Sequence, residues 1–367
     1  MKIALSLCVL AAIAAALWIV PSLQAKKKKE EITQVLELPK DPPSGVVAET
    51  GRLVFQVSPL SAKGLLSAQT RDALKALLRA GNGAAIVKIR AFVAGSGDLR
   101  RVPAIVSEVF TEKHLALPTV SVVQAGGLPL EGAQVVLEST AAAKREMNPN
   151  GLLFVSGQAA SSDEPLGPTA PLAEKSLSNL GTAVAGTEVL RVTCFATSLD
   201  DAAKIHAMIS ARFPQAAVDI VKSQRAPART LIECEAVARL NSPSRGAVEY
   251  RSPDGLASSP YFSQAAAVSA PRLALTGTQV AFGFQESDAK LAFERLRKAL
   301  DQLGSSPKQV VMASVYPLSP SIAEQIRKIR FDFFDPKNPP ASTLLVFEGL
   351  PAMDASFAID VAAVVNQ

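Results

Sequence analysis

Histidine and cysteine are nearly absent from this 367-residue chain, which holds two of the first and three of the second. His114, His206, Cys194 and Cys234 stand at spacings that no metal centre uses, so no metal is expected. A Gly-x-Ser-x-Gly elbow is missing, which leaves little for a Ser/His/Asp triad. Gly81-Asn-Gly83 and Gly95-Ser-Gly97 fall short of the longer phosphate-binding patterns and read as turns. No cofactor is implied. Charge is sparse too, at 19% of residues. The net charge of +5 resides in a tail: Lys2 and Lys26–Lys29 supply five of the 38 basic residues, and residues 30–367 balance 33 basic against 33 acidic. A neutral body lacks the basic surface that releases counterions from a nucleic acid, so no nucleic-acid partner is expected. RNA binding should be weak and should vanish when residues 1–31 are deleted. Tight, salt-sensitive retention by the truncated chain in a filter-binding assay would overturn this.

Nearly half the chain is hydrophobic, enough for the bulk of it to fold. Lys2 precedes an apolar run from Ile3 to Val20, then Pro21, Ser22 and a possible cleavage point at Ala25. Residues 1–25 therefore read as a signal peptide or membrane anchor, and 26–47 as a basic, proline-containing linker. Export to a periplasmic or extracellular space is expected. The four lysines behind the run keep open the alternative of a membrane anchor with a cytoplasmic body. Cys8 reads as a hydrophobic filler of that run. Cys194 and Cys234 lie in strand-like RVTCFAT and LIECEAV. A disulfide is open to them in an oxidising compartment, but two buried thiols are the preferred reading.

Three 25-residue windows share one pattern without a gap: Ile86–Phe110, Val189–Phe213 and Val310–Phe334. Each opens on a β-rich run ending in an aromatic residue (Phe92, Phe195 or Tyr316). Each closes on an amphipathic helical pattern such as Ile205, Met208 and Ile209. Helix candidates precede the windows at Ser67–Ala80, Pro171–Val184 and Ser287–Leu303, each behind a further strand. After each window come two strand-like runs joined by a turn with Pro129, Pro227 or Pro351. The repeating order is β, helix, β, helix, β, turn, β. It predicts an α+β fold with two helices on one face of a mixed sheet. The copies span 48–140, 151–240 and 271–366. A short linker lies at 141–150, and a Ser-, Pro- and Gly-rich one at 241–270.

Phe154-Val-Ser-Gly-Gln158 resembles the glycine-containing strand end of the RidA (YjgF, L-PSP endoribonuclease-like) family. Thr193-Cys194-Phe195 resembles its central strand. The Leu128-Pro129 turn and Ile232-Glu233-Cys234-Glu235-Ala236 resemble its last hairpin. The resemblance covers roughly residues 48–366 as three degenerate copies. It implies chorismate mutase-like modules, hydrolysis of reactive imines and enamines, and homotrimers with sites between subunits. Three copies in one chain then imply a monomeric, intramolecular pseudo-trimer in which each sheet covers its neighbour's edge.

Catalytic members carry an arginine nine residues before the turn proline, where it grips a substrate carboxylate as a bidentate pair. Those positions hold Val120, Val218 and Ser342 here, and Arg229 falls in a turn. The family's water-positioning glutamate, six residues after the proline, gives Val135, Glu233 and Phe357. Only the second copy then keeps a partial site of Ser156, Gly157, Gln158 and Glu233, with Glu233 as the candidate catalytic residue. Val218 stands at the clamp position, and His206, matching Pro103 and Arg327, lies near the site. Each has a plain structural reading: a paired carboxylate for Glu233, a bulge for Gly157, a structural histidine for His206. The expectation is a degenerate assembly binding a small imine-like or neutral ligand, or a protein. The alternative is an imine or enamine deaminase in the second copy.

Overall fold

The computed structural model describes residues 39–95, 97–163 and 167–366. The apolar segment read as a signal or anchor lies outside them. Among the described residues no helix is long and apolar enough to cross a membrane.

The first copy runs β1 (Gly45–Glu49), β2 (Leu53–Val57), α1 (Leu66–Ala80), β3 (Ala85–Ala94), α2 (Arg101–Glu112), β4 (Thr119–Ala125) and β5 (Val135–Ala142). In α1 the residues Leu66, Ala73, Leu74 and Leu77 fall on one buried stripe. The helix stops where Asn82 and Gly83 take positive φ of 46° and 82°. β3 and β4 pair in parallel and need a crossover, which α2 supplies. The four-stranded sheet has the order β2-β5-β3-β4.

The second copy repeats this with β6 (Leu152–Ser162), α3 (Ala170–Ala183), β7 (Thr187–Ala196), α4 (Ala202–Arg212), β8 (Ala217–Lys222) and β9 (Thr230–Leu240). Residues 241–270, read from sequence as a linker, carry two strands: β10 (Val248–Arg251) and β11 (Ala265–Val268). They extend the second sheet to the order β10-β11-β6-β9-β7-β8. The third copy has β12 (Arg272–Thr276), β13 (Gln279–Phe282), α5 (Glu286–Gln302), β14 (Val310–Pro317), α6 (Pro320–Phe333), β15 (Ala341–Leu344) and β16 (Ala355–Val364). Its sheet takes in β1 from the other end of the body, paired antiparallel with β12. The first strand is thereby tied to the last copy.

The repetition extends to irregularities. Register shifts fall between Ile86 and Lys88, Val189 and Arg191, and Val310 and Met312, the same place in each window. Each helix pair packs on its own sheet over its own apolar cluster, such as Leu74, Ile89 and Ile105 in the first copy. The faces without helices share two further clusters to which all three copies contribute. The window aromatics meet in one of these. Phe92 and Phe195 lie 5.5 Å apart, and Phe347 lies 5.5 Å from Phe195 and 5.4 Å from Tyr316. Strand ends also bond across copies. The Gly126 amide donates to Lys222 O at 2.7 Å, and the Gln124 amide to Gly349 O at 2.8 Å. A Cβ on Gly126 would stand 2.2 Å from the Gln224 carbonyl carbon, so this approach requires glycine.

One expectation is corrected. Cys194 and Cys234 are joined as a disulfide rather than left as two thiols. The register explains it. β7 and β9 place the two residues directly opposite each other, with Cα atoms 4.1 Å apart, and both side chains face the helix-covered core.

Candidate functional site

Strand alternation sends one set of side chains toward the helices and the other toward the shared interior. The interior set is charged where the copies meet. Arg90, Thr193 and Ser314 occupy the same window position and pair in register with Glu138, Glu235 and Asp360. Arg90 Nε donates to Glu138 at 2.6 Å, and its Nη2 donates to Glu235 of the second copy at 2.6 Å and to Thr193 Oγ1 at 3.3 Å. Arg191 stands 3.4 Å from Glu138. Lys88 pairs with Asp360 of the third copy, which also accepts from the Tyr316 hydroxyl at 3.0 Å. Burial opposes the charge on Arg90, but Glu138 and Glu235 outweigh it and hold its pKa well above the ordinary value. Burial likewise opposes charge on Glu138, while Arg191 and Arg90 bring it down to about 2. Burial dominates at Lys88 and lowers it despite Asp360. A cavity of about 50 Å³ lies among these groups, room for little more than water.

Among the larger clefts of the described residues, three lie where matched positions of two copies face each other. The first, about 490 Å³, is lined by Val57, Leu60 and Val136 of the first copy and by His206, Val218 and Asp219 of the second. The second, about 270 Å³, lies between Leu231 and Arg229 of the second copy and Arg327 and Leu344 of the third. The third, about 210 Å³, joins Gln279 and Pro351 of the third copy to Pro103 and Val120 of the first. Val120, Val218 and Ser342 hold one register position, opposite Ile89, Val192 and Ala313. Pro103, His206 and Arg327, matched in sequence, line one cleft each.

Glu233 sits opposite Phe195, and its counterparts opposite Phe92 and Tyr316 are Val136 and Ala358. That is one residue beyond Val135 and Phe357, the positions given by proline spacing; neither pair holds a second glutamate. Gly157 lies in a bulge of β6, and a Cβ there would fall 1.8 Å from Glu233 Oε1, so glycine makes room for the carboxyl. Burial first, then Glu235, push Glu233 up to about 8, opposed by Arg327 of the third copy. Ser156 Oγ donates to Ser263 O at 2.6 Å and accepts from the Ser342 amide at 2.8 Å. Gln158 donates to Ser156 O at 3.0 Å and to Gln264 at 2.8 Å.

The structure therefore divides the site expected from sequence. Ser156, Gly157, Gln158 and Glu233 stand together, facing the third copy beside Ser342 and Arg327. Val218 and His206 belong to the first cleft, whose facing residue at the glutamate position is Val136. Sequence reasoning grouped them because it searched within one copy, whereas each cleft is built from two.

The sequence matches no family model and no curated protein. Solved structures do show likeness. A Rid-family protein of unknown function from Yersinia pestis is 20% identical, covering 32% of this chain and 99% of its own, with a TM-score of 0.29. For a YjgF-family protein from Mycobacterium tuberculosis the identity is 20%, the shares 25% and 79%, and the TM-score 0.23. For one from Neisseria meningitidis they are 16%, 33% and 96%, and 0.24. The likeness is to the RidA (YjgF) family. The three align with between 25% and 33% of this chain.

The interior charges of the three copies were missed. Their signal was present in the sequence: Lys88, Arg90, Glu138, Glu235 and Asp360 interrupt otherwise apolar strands. Such charges survive burial only when paired.

Proposed function

We propose that this protein is an exported assembly of three RidA-like copies (48–140, 151–240 and 271–366) that form an intramolecular pseudo-trimer. It binds a ligand in its clefts and does not perform the family's imine chemistry. One observation carries this: the register-matched clamp positions hold Val120, Val218 and Ser342, so no cleft offers an arginine there. A carboxylate-bearing imine would forgo charge-assisted hydrogen bonds worth roughly 1.5–3 kcal/mol each. The shared interior clusters and the pairing of β1 with the third sheet support the closed arrangement. The Cys194–Cys234 bond and the apolar run Ile3–Val20 support export.

A second reading has one observation in its favour. Glu233, buried beside Arg327 and pushed up to about 8, has the poised acidity of a general acid. The two readings separate in an assay of freshly generated amino-acid-derived imine. Wild type should hydrolyse it near the uncatalysed rate, and Glu233→Gln should match wild type. Turnover well above background that Glu233→Gln removes would establish the deaminase instead.

A further inference from the structure

The first cleft contains a buried carboxyl with one oxygen left without a partner. Asp219 follows Val218 on β8 and is 4% exposed, and its Oδ2 has no hydrogen-bond partner. The nearby cations are engaged elsewhere: Arg90 holds Glu138 and Glu235, and Arg191 pairs with Glu138. A buried carboxyl whose neighbouring cations are already paired with other acids is costly to keep ionised. The matching positions in the other copies, Ser121 and Thr343, are uncharged, so the acid is particular to this cleft. The walls around it are mainly apolar, with Val57, Leu60, Val136 and Val218 among them.

We propose that the cleft between the first and second copies binds a protonated primary amine on an apolar body, with Asp219 as the counter-charge. This rests on the reading of the clefts as ligand sites and names the ligand class. The charge preference is the reverse of the one that the family resemblance implies. An anion would meet Val218 instead of a guanidinium and would lie beside Asp219. An ammonium supplies both the missing donor and the missing charge, while its alkyl or aryl body replaces water on the valine and leucine walls.

The acidity of Asp219 adds a signature. Burial first and Glu138 next push it up to about 8, against Arg90, a hydrogen bond from the Ile220 amide to the carboxyl, and Arg191. Below that value the free protein holds a neutral carboxyl, and an ammonium must displace its proton. Affinity for a cation therefore falls as pH drops, and a neutral ligand shows no such loss. His206 and Asp200 are the other titratable groups on the cleft wall, and Asp200 already accepts from the Ser198 hydroxyl at 2.8 Å.

The test is calorimetric titration of the full chain with benzylamine, benzyl alcohol and benzoate at about pH 8.5 and about pH 6, the amine staying protonated. At the higher pH benzylamine should bind about tenfold or more tightly than the alcohol, and benzoate should not bind. At the lower pH the amine should weaken about tenfold or more. Asp219→Asn should abolish the preference for amine over alcohol. Asn copies the neutral acid, so its unfolding curve near pH 6 should match wild type. His206→Gln should leave the pH dependence in place. No amine binding, equal binding of amine and alcohol, tighter binding of benzoate, or a preference surviving in Asp219→Asn would each overturn the assignment. Imine turnover measured on the same preparations keeps the two readings apart. Turnover lost with Glu233→Gln removes the non-catalytic reading and leaves an amine result standing. Failure of the amine without turnover removes only the amine.

Discussion

Arg90→Met should destabilise the fold by about 3–5 kcal/mol, because it leaves Glu138 and Glu235 buried without the guanidinium that joins them. The loss would be read as a shift in the midpoint of denaturant unfolding at neutral pH, far larger than for exposed pairs such as Arg297–Glu294. Packing alone does not account for so large a cost. The third copy places Met312 at the position of Lys88 in the same interior, so the centre accommodates a methionine chain. Arg90→Met combined with Glu138→Gln and Glu235→Gln should therefore recover most of the loss. pH supplies a second check. Glu138 is held at about 2, below its ordinary value near 4.5, so its contribution is fully present above about pH 4.5 and disappears as pH falls through 2. The gap between wild type and Arg90→Met should narrow over that interval. A loss under about 1 kcal/mol would mean that the interior is hydrated enough to carry unpaired charge.

The architecture of one copy was legible because it is written three times. Helix ends read from sequence fall within a residue of α1, α3 and α5, since apolar stripes such as Leu74 and Leu77 fix the face and Gly81-Asn-Gly83 fixes an end. The clamp positions were legible for the same reason: a fixed distance from a turn proline survives when the register does. Long-range pairing was not. Nothing local in Gly45–Glu49 says that it bonds to Arg272–Thr276, and Ser-, Pro- and Gly-rich 241–270 disguises β10 and β11. The site divided wrongly for a related reason. Glu233 and Val218 are fifteen residues apart on two strands that flank β7 in one sheet, yet they face different neighbours. Asp219 went unnoticed because attention stopped at Val218. Its burial and its unpaired Oδ2 are visible only in the assembled fold.

Cys194→Ala with Cys234→Ala should cost about 4 kcal/mol, the chain-entropy estimate for a bond joining residues 40 apart. The bond ties β7 to β9 at the centre of the second sheet, and those strands carry Arg191, Glu233 and Glu235. Opening that sheet would release the interior pairs of Arg90 with it, so the effect should reach beyond one copy. Wild type unfolded under a strong reductant should match the double variant, while Cys8→Ala should match untreated wild type. Thiols counted in denaturant then address compartment and processing together, because the chain has three cysteines and Cys8 lies in the apolar run. Protein recovered from an oxidising compartment should give no free thiol if residues 1–25 are removed, and one if they are retained. Three free thiols in the full-length chain, with stability indifferent to reductant, would restore the two-thiol reading and remove a main support for export. A reducing cytosol keeps such a pair open, so the same chain held there should be the less stable form by the same amount.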